Sequence, residues 1–215
     1  MSIRTFIANI LFPLRCIRCK KEGTHLCLSC AMYCKKPHEA PHAYIHVAFS
    51  YKDPFIRKLI RKFKYSHLAS IGKTFGMLLK DLCIEDFASW HELYPHIPLA
   101  IIPVPSSGTH TRSRGYNPSA LITKNMMDGV DIPHTIYMYA ITKNPRIEAQ
   151  SMINNRSKRL QNIKGAFILT DQQVIKGKYV VIVDDVTTTG GTIDEIKKLC
   201  MKAGAKKVSA YVVAH

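Results

Sequence analysis

Val180-Val181-Ile182-Val183-Asp184-Asp185-Val186-Thr187-Thr188-Thr189-Gly190-Gly191-Thr192 sets two acids and a run of small residues between an apolar segment and a helix. The β-branched residues at its start read as a buried strand of a parallel sheet, and Ile193, Ile196, Leu199 and Cys200 repeat at helical spacing just beyond it. The loop between them therefore opens a helix. Unpaired N–H groups at a helix N-terminus favour an anion, glycines let it approach closely and Thr hydroxyls add donors, so a phosphate fits over residues 187–192. Asp184 and Asp185 would repel that phosphate. Their task is then to accept hydrogen bonds from the vicinal hydroxyls of a ribose, directly or through a metal-bound water. A strand running into a solvated turn would account for the valines and glycines, but not for paired acids followed by a Thr/Gly run.

The stretch resembles the signature of type I phosphoribosyltransferases, which bind 5-phosphoribosyl 1-pyrophosphate with magnesium. The resemblance implies that Asp184 and Asp185 take the ribose hydroxyls, while Val186, Thr187, Thr188, Thr189, Gly190, Gly191 and Thr192 form the loop around the 5-phosphate. In the hypoxanthine–guanine branch of that superfamily an acid three residues after the second acid serves as base. Here that place is Thr188, so the loop implies binding without an evident general base.

Length and composition bound the remainder. A chain of 215 residues, 47% of them apolar, suits one α/β domain with a small appendage. Its 31 Lys and Arg against 15 Asp and Glu give a net charge of +16, which predicts salt-sensitive attraction to polyanions and makes single-stranded DNA a candidate partner. No apolar run is long enough to cross a bilayer, and residues 3–12 are too short and interrupted for a secretory signal, so a soluble, cytoplasmic protein without membrane insertion is expected.

Cys16-Ile17-Arg18-Cys19 and Cys27-Leu28-Ser29-Cys30 form two Cys-x-x-Cys knuckles able to wrap one tetrahedral zinc ion. A reducing compartment disfavours disulfides, and a closed set of thiolates leaves no open coordination position, so the zinc is expected to be structural. His25 is a spare donor nearby. Arg15, Arg18, Lys20 and Lys21 read either as nucleic-acid contacts or as ordinary surface.

The chain divides into a zinc module at residues 1–36, a linker at 37–46 rich in His and Pro, and an α/β domain at 47–215. Within that domain the pattern predicts a strand at 47–51, a helix at 55–65, a helix at 71–86, a loop through Trp90 and His96, and a strand at 99–105. A helix at 119–127, a strand at 136–140 and a polar stretch at 142–164 come next. The helix at 55–65 is apolar at Ile56, Leu59, Ile60 and Phe63 and basic at Arg57, Lys58, Arg61, Lys62 and Lys64, which is either a solvated face or a polyanion contact. In a doubly wound sheet the loops at the carboxyl ends of the strands face the ligand crevice, which sets Ser106 and Ser107 opposite the phosphate loop. Arginine forks match pyrophosphate oxygens, so Arg112 and Arg114 join them as pyrophosphate ligands.

Together the four cysteines, the Ile-Pro-Val-Pro strand, Arg112-Ser113-Arg114-Gly115-Tyr116-Asn117, and Gln150, Arg156 and Arg159 leading to Gly165-Ala166-Phe167 and the Asp-Asp loop resemble the ComF family associated with natural competence. That family resembles amidophosphoribosyltransferases. The resemblance implies an open parallel sheet flanked by helices behind a zinc finger, and a role in handling transforming DNA together with DNA-processing or uptake proteins. Pro118 stands where the family commonly has Gln, and Lys20 where Gly is usual. Three functions are compatible with this reading: a protein that binds 5-phosphoribosyl 1-pyrophosphate and takes part in DNA uptake, a salvage-type phosphoribosyltransferase acting on a base or amine with incidental DNA binding, and a ligand-gated DNA adaptor without turnover.

Overall fold

Tyr179, Val180, Val181, Ile182 and Val183 are fully buried without alternation, as in a strand covered on both faces. They begin β6 (Tyr179–Val186), which pairs in parallel with β7 (Lys207–Ala214) on one side and β2 (Leu99–Pro103) on the other. β1 (Ile45–Phe49) lies beyond β7 and β3 (His134–Ile136) beyond β2, so a five-stranded parallel sheet runs in the order β1-β7-β6-β2-β3. The computed structural model describes residues 14–147 and 164–215. From β2 the chain moves outward to β3, and from β6 it moves the opposite way to β7. The strand order therefore reverses between β2 and β6, and their carboxyl ends flank the crevice where such sheets bind ligands.

Helices cover both faces. α1 (Leu28–Ala31) belongs to the cysteine module, whereas α2 (Pro54–Tyr65), α3 (Ile71–Leu93) and, after the short α4 (Gly108–Arg114), α5 (Pro118–Met126) cover one face of the sheet. Ile56, Leu59, Phe63, Phe75, Leu79 and Ile122 pack there with Phe49, Val181, Val183 and Tyr211. On the opposite face α6 (Gly191–Lys202) sets Ile193, Ile196 and Cys200 against Val180, Ile182 and Val212. An antiparallel ribbon of β4 (Ile141–Lys143) and β5 (Phe167–Leu169) joins this second core through Ile141 and Phe167.

α2 forms despite its charge. Arg57–Arg61 and Lys58–Lys62 are like pairs at i,i+4, each unfavourable by roughly 0.2–0.5 kcal/mol. Burying Ile56, Leu59, Ile60 and Phe63 is worth roughly 1.5–3 kcal/mol apiece and outweighs that repulsion. Asp53 fixes the start of the helix: its Oδ1 accepts from Phe55 N at 2.9 Å and Ile56 N at 3.1 Å, with Pro54 in the first turn. α3 approaches α5 closely enough that a Cβ on Gly76 would stand 2.5 Å from Asn125 Cβ and 2.8 Å from Met126 N.

Three local expectations change, and one helix has no counterpart in the sequence pattern. The first strand starts at Ile45, inside the stretch read as a linker. The long helix runs on to Leu93 because Trp90, expected in a loop, packs against Tyr179 with ring centroids 4.8 Å apart and planes tilted by 56°. The strand expected at 136–140 ends at Ile136, since the chain turns back with Ala140 N donating to Tyr137 O. Residues 108–114, which have no apolar stripe, nonetheless form α4. Gln150, Arg156 and Arg159 lie outside the described residues. No helix among the described residues is long and apolar enough to cross a membrane.

Candidate functional site

At the switch point a cavity of about 240 Å³ is lined by Asp184, Asp185, Ser106, Ser107, Arg114, Ser119, Lys64 and Lys143, with Tyr65, Val104, Pro105 and Pro118 completing its wall. Asp184 and Asp185 ride on the last residues of β6 and are buried. Asp184 Oδ1 accepts from Ser119 Oγ at 2.9 Å and from the backbone N–H of Asp185 at 2.9 Å. Burial first, then the charge of Asp185, pushes Asp184 up to about 7 against the opposing pull of Lys64 and Ser119. Lys64 Nζ lies 3.0 Å from Asp185 Oδ1, with side chains only 25% and 7% exposed. Burial works against the Lys64 ammonium, but the carboxylates of Asp185 and Asp184 more than offset it and raise its pKa. Asp185 Oδ2 is buried and has no hydrogen-bond partner among the described residues. A paired acid with one open acceptor in a cavity also lined by Lys64, Arg114 and Lys143 suits a ligand that brings hydroxyl donors and anionic oxygens together.

Residues 114–119 build the wall facing the acids. Asn117 caps α5, accepting from Ser119 N at 3.0 Å and from Ser106 Oγ at 2.9 Å, while its Nδ2 donates to Val104 O at 3.0 Å. One side chain thus holds the turn after β2 against the helix that supplies Ser119. Pro118, the departure from the family pattern, occupies the first turn of α5, where its missing N–H is harmless. Arg114 Nε donates to Lys64 O at 2.6 Å, and Tyr116 OH donates to Phe63 O, so this segment also holds the end of α2. Of the expected pyrophosphate ligands, Ser106, Ser107 and Arg114 reach the cavity. Arg112 is exposed on α4 and does not line it. Ser119 and Lys143 line the cavity without having been singled out, and Lys64, grouped with the basic face of its helix, turns to Asp185 instead. Only Lys64 carried a signal, as the basic residue nearest the apolar face of its helix.

No residue of the loop that follows the acids lines this cavity. Val186, Thr187 and Thr188 line a second one of about 670 Å³, walled by Pro37, His38, Tyr51 and His215 among others. Thr187 and Gly190 are buried, Thr188 and Thr189 are exposed, and Gly191 and Thr192 start α6. Gly190 has φ +80°, and a Cβ there would meet His42, Ile45 and Pro41 at 3.1–3.2 Å, so both conformation and space require glycine. Asp194, one turn into α6, bonds His42 at 3.0 Å and Tyr44, so the His-rich stretch braces the loop.

Of the basic residues read as DNA contacts, Arg57, Lys58, Arg61 and Lys62 share one groove of about 920 Å³ on the outer face of α2, flanked by Tyr51 and Tyr65. The other cluster is dispersed. Arg15 pairs with Glu22 at 3.0 Å, Arg18 stacks on Tyr33 and Phe55, and Lys20 and Lys21 are exposed.

The sulfurs of Cys16, Cys19, Cys27 and Cys30 all lie within 4.8 Å of one another, and Cys19 Sγ is 3.6 Å from Cys27 Sγ. A tetrahedral zinc with bonds of about 2.3 Å needs sulfurs about 3.8 Å apart, so the donor set fits one ion. Burial raises Cys16, but backbone N–H groups of Cys19, Cys27 and Arg18 outweigh it and bring the thiol down to about 6, which suits a ligand that must be deprotonated. Lys20 adopts φ +66° in the knuckle turn, which explains why glycine is usual at that place. His25 is committed elsewhere, its Nε2 lying 2.8 Å from Ser70 Oγ.

The sequence matches the phosphoribosyl transferase domain family over residues 121–215. With the parallel sheet, the acid pair at its switch point and the cysteine cluster, this defines a type I phosphoribosyltransferase-like domain carrying an N-terminal four-cysteine module. Competence protein F of Haemophilus influenzae is 33% identical over 157 residues, 73% of this chain and 66% of that protein. DNA utilization protein YhgH of Escherichia coli O157:H7 is 29% identical over 196 residues, covering 91% and 82%. Competence protein ComFC of Streptococcus pneumoniae is 26% identical over 197 residues, covering 91% and 78%. The chain belongs to the ComF family.

Proposed function

We propose that the protein binds 5-phosphoribosyl 1-pyrophosphate with magnesium at the switch-point cavity and takes part in the uptake or use of DNA, handling single-stranded DNA in the groove on α2. The observation that carries this reading is the meeting of Asp184 and Asp185 with Ser106, Arg114, Lys64 and Lys143 around one cavity beside the Thr/Gly loop. Asp184 and Asp185 accept the ribose 2- and 3-hydroxyls, with Asp185 Oδ2 supplying the open acceptor. Thr187, Thr188, Thr189, Gly190, Gly191 and Thr192 surround the 5-phosphate at the start of α6, and Ser106, Ser107 and Arg114 hold the pyrophosphate. Asp184 and Asp185 are the residues that would hold magnesium, and the ion would neutralise pyrophosphate charge. The names of the relatives, competence and DNA utilization proteins, support the DNA role, and Arg57, Lys58, Arg61 and Lys62 beside Tyr51 and Tyr65 offer phosphate contacts and stacking faces. Thr188 in place of an acid favours binding over base-assisted transfer. Calorimetric titration with the sugar pyrophosphate in magnesium tests the reading: saturable binding at one site per chain is expected, and no heat at millimolar ligand would overturn it. Pyrophosphate release with added bases or amines would instead establish a transferase.

A further inference from the structure

The two sites proposed above share one piece of structure, the last turn of α2. It carries Lys64, held 3.0 Å from Asp185, and contributes Lys62 and Tyr65 to the groove that Arg57, Lys58 and Arg61 continue along the preceding turns. Tyr65 lines both cavities. The carbonyls of Phe63 and Lys64, in that same turn, accept from Tyr116 and Arg114, and Arg114 itself lines the acid cavity. A sugar pyrophosphate in that cavity presents hydroxyl donors to the acids, which compete with the Lys64 ammonium, and anionic oxygens that draw both Lys64 and Arg114.

We propose, resting on the sugar-pyrophosphate reading, that Lys64 couples the two sites in opposition. Ligand strips Lys64 from Asp185 and Arg114 from the Lys64 carbonyl, releases the last turn of α2, and so weakens the grip of the groove on a nucleic-acid strand. The coupling is reciprocal, because any ligand that loosens strand binding is itself loosened by the strand to the same extent.

The test uses the full chain and a fluorescent oligothymidylate, read by anisotropy in magnesium with and without saturating 5-phosphoribosyl 1-pyrophosphate, alongside calorimetry of the sugar ligand. The wild-type protein is expected to bind the strand about fivefold or more weakly when the ligand is present, a factor typical of coupled sites. Lys64→Met, or Lys64→Gln should the first variant not fold, is expected to show less than a twofold change with the ligand bound. Equal strand affinity in the wild type while calorimetry shows the ligand bound would overturn the coupling and leave the sugar site standing. No sugar binding would overturn both. A Lys64 variant that keeps the full ligand effect would reduce it to charge repulsion and overturn the role of Lys64.

Discussion

Asp184 carries the sharpest conflict between stability and function in the molecule. A carboxyl raised from 3.8 to about 7 binds its proton more tightly in the folded chain than in the unfolded one. Its contribution to stability is therefore fully present below the ordinary value and is lost as pH rises through the folded one. Asp184→Asn removes that loss while keeping the shape and the Ser119 contact. The variant is expected to gain about 1–3 kcal/mol over wild type at pH 8 and less at pH 5, which lies inside the window between the unfolded and folded values, with weakened sugar-pyrophosphate binding. Thermal melts of both proteins at the two pH values check this, and an equal or lower melting temperature for the variant at pH 8 would contradict it. Asn117 does not line the acid cavity. Asn117→Ala loses the cap of α5 and the tether on Ser106, so a cost of about 1–2 kcal/mol is expected, with a fall in sugar-pyrophosphate affinity that separate measurements of melting and binding would show together.

At the scale of elements, the long helix and the cysteine module show what the sequence displayed and what it hid. The Asp-Asp strand, the helix after it and the basic amphipathic helix were legible because burial and helical period leave a pattern in residue types. The reach of α3 to Leu93, the ribbon of β4 and β5, and the place of Lys64 and Lys143 were not, because they depend on contacts between segments far apart in the chain, such as Trp90 on Tyr179. Gly76 is of the same kind: in sequence it is a weak helix residue, and in the fold it is the point where α5 comes closest. Gly76→Ala is expected to destabilise by about 1–3 kcal/mol despite better helix propensity, lowering the melting temperature by several degrees, and an unchanged or raised melting temperature would count against the tight α3–α5 contact. The cysteine module is joined to α3 by Thr24 with Thr74 and by His25 with Ser70, and its Cys16, Leu26 and Cys30 share the core with Phe49 and Ile56. One zinc per chain is expected in protein purified under reducing conditions. Chelation should then increase amide exchange first across residues 14–36, and a metal-free, equally protected module would contradict the assignment.

For the whole molecule, a net charge of +16 draws polyanions to every side, so local and diffuse attraction must be separated. Replacing Arg57, Lys58, Arg61 and Lys62 by Ala is expected to weaken single-stranded DNA binding and flatten its salt dependence by roughly 0.7 in log–log slope per lost phosphate contact. The control is replacement of the exposed Lys176, Lys198, Lys202 and Lys206, since Lys197 and Lys207 lie over aromatic rings and would perturb packing. Equal losses in both variants would mean that only general electrostatic attraction operates. The central claim nonetheless concerns the crevice between β2 and β6, where the strand order reverses and the acids meet the cations. The measurement that reaches it most directly is calorimetric titration of 5-phosphoribosyl 1-pyrophosphate in magnesium into wild type and into the folded Asp184→Ala, Asp185→Ala double variant. The predicted result is saturable binding to the wild type and at least a hundredfold loss in the variant, about 2.7 kcal/mol; equal affinity in the two proteins would contradict the assignment of the acid pair to the ribose.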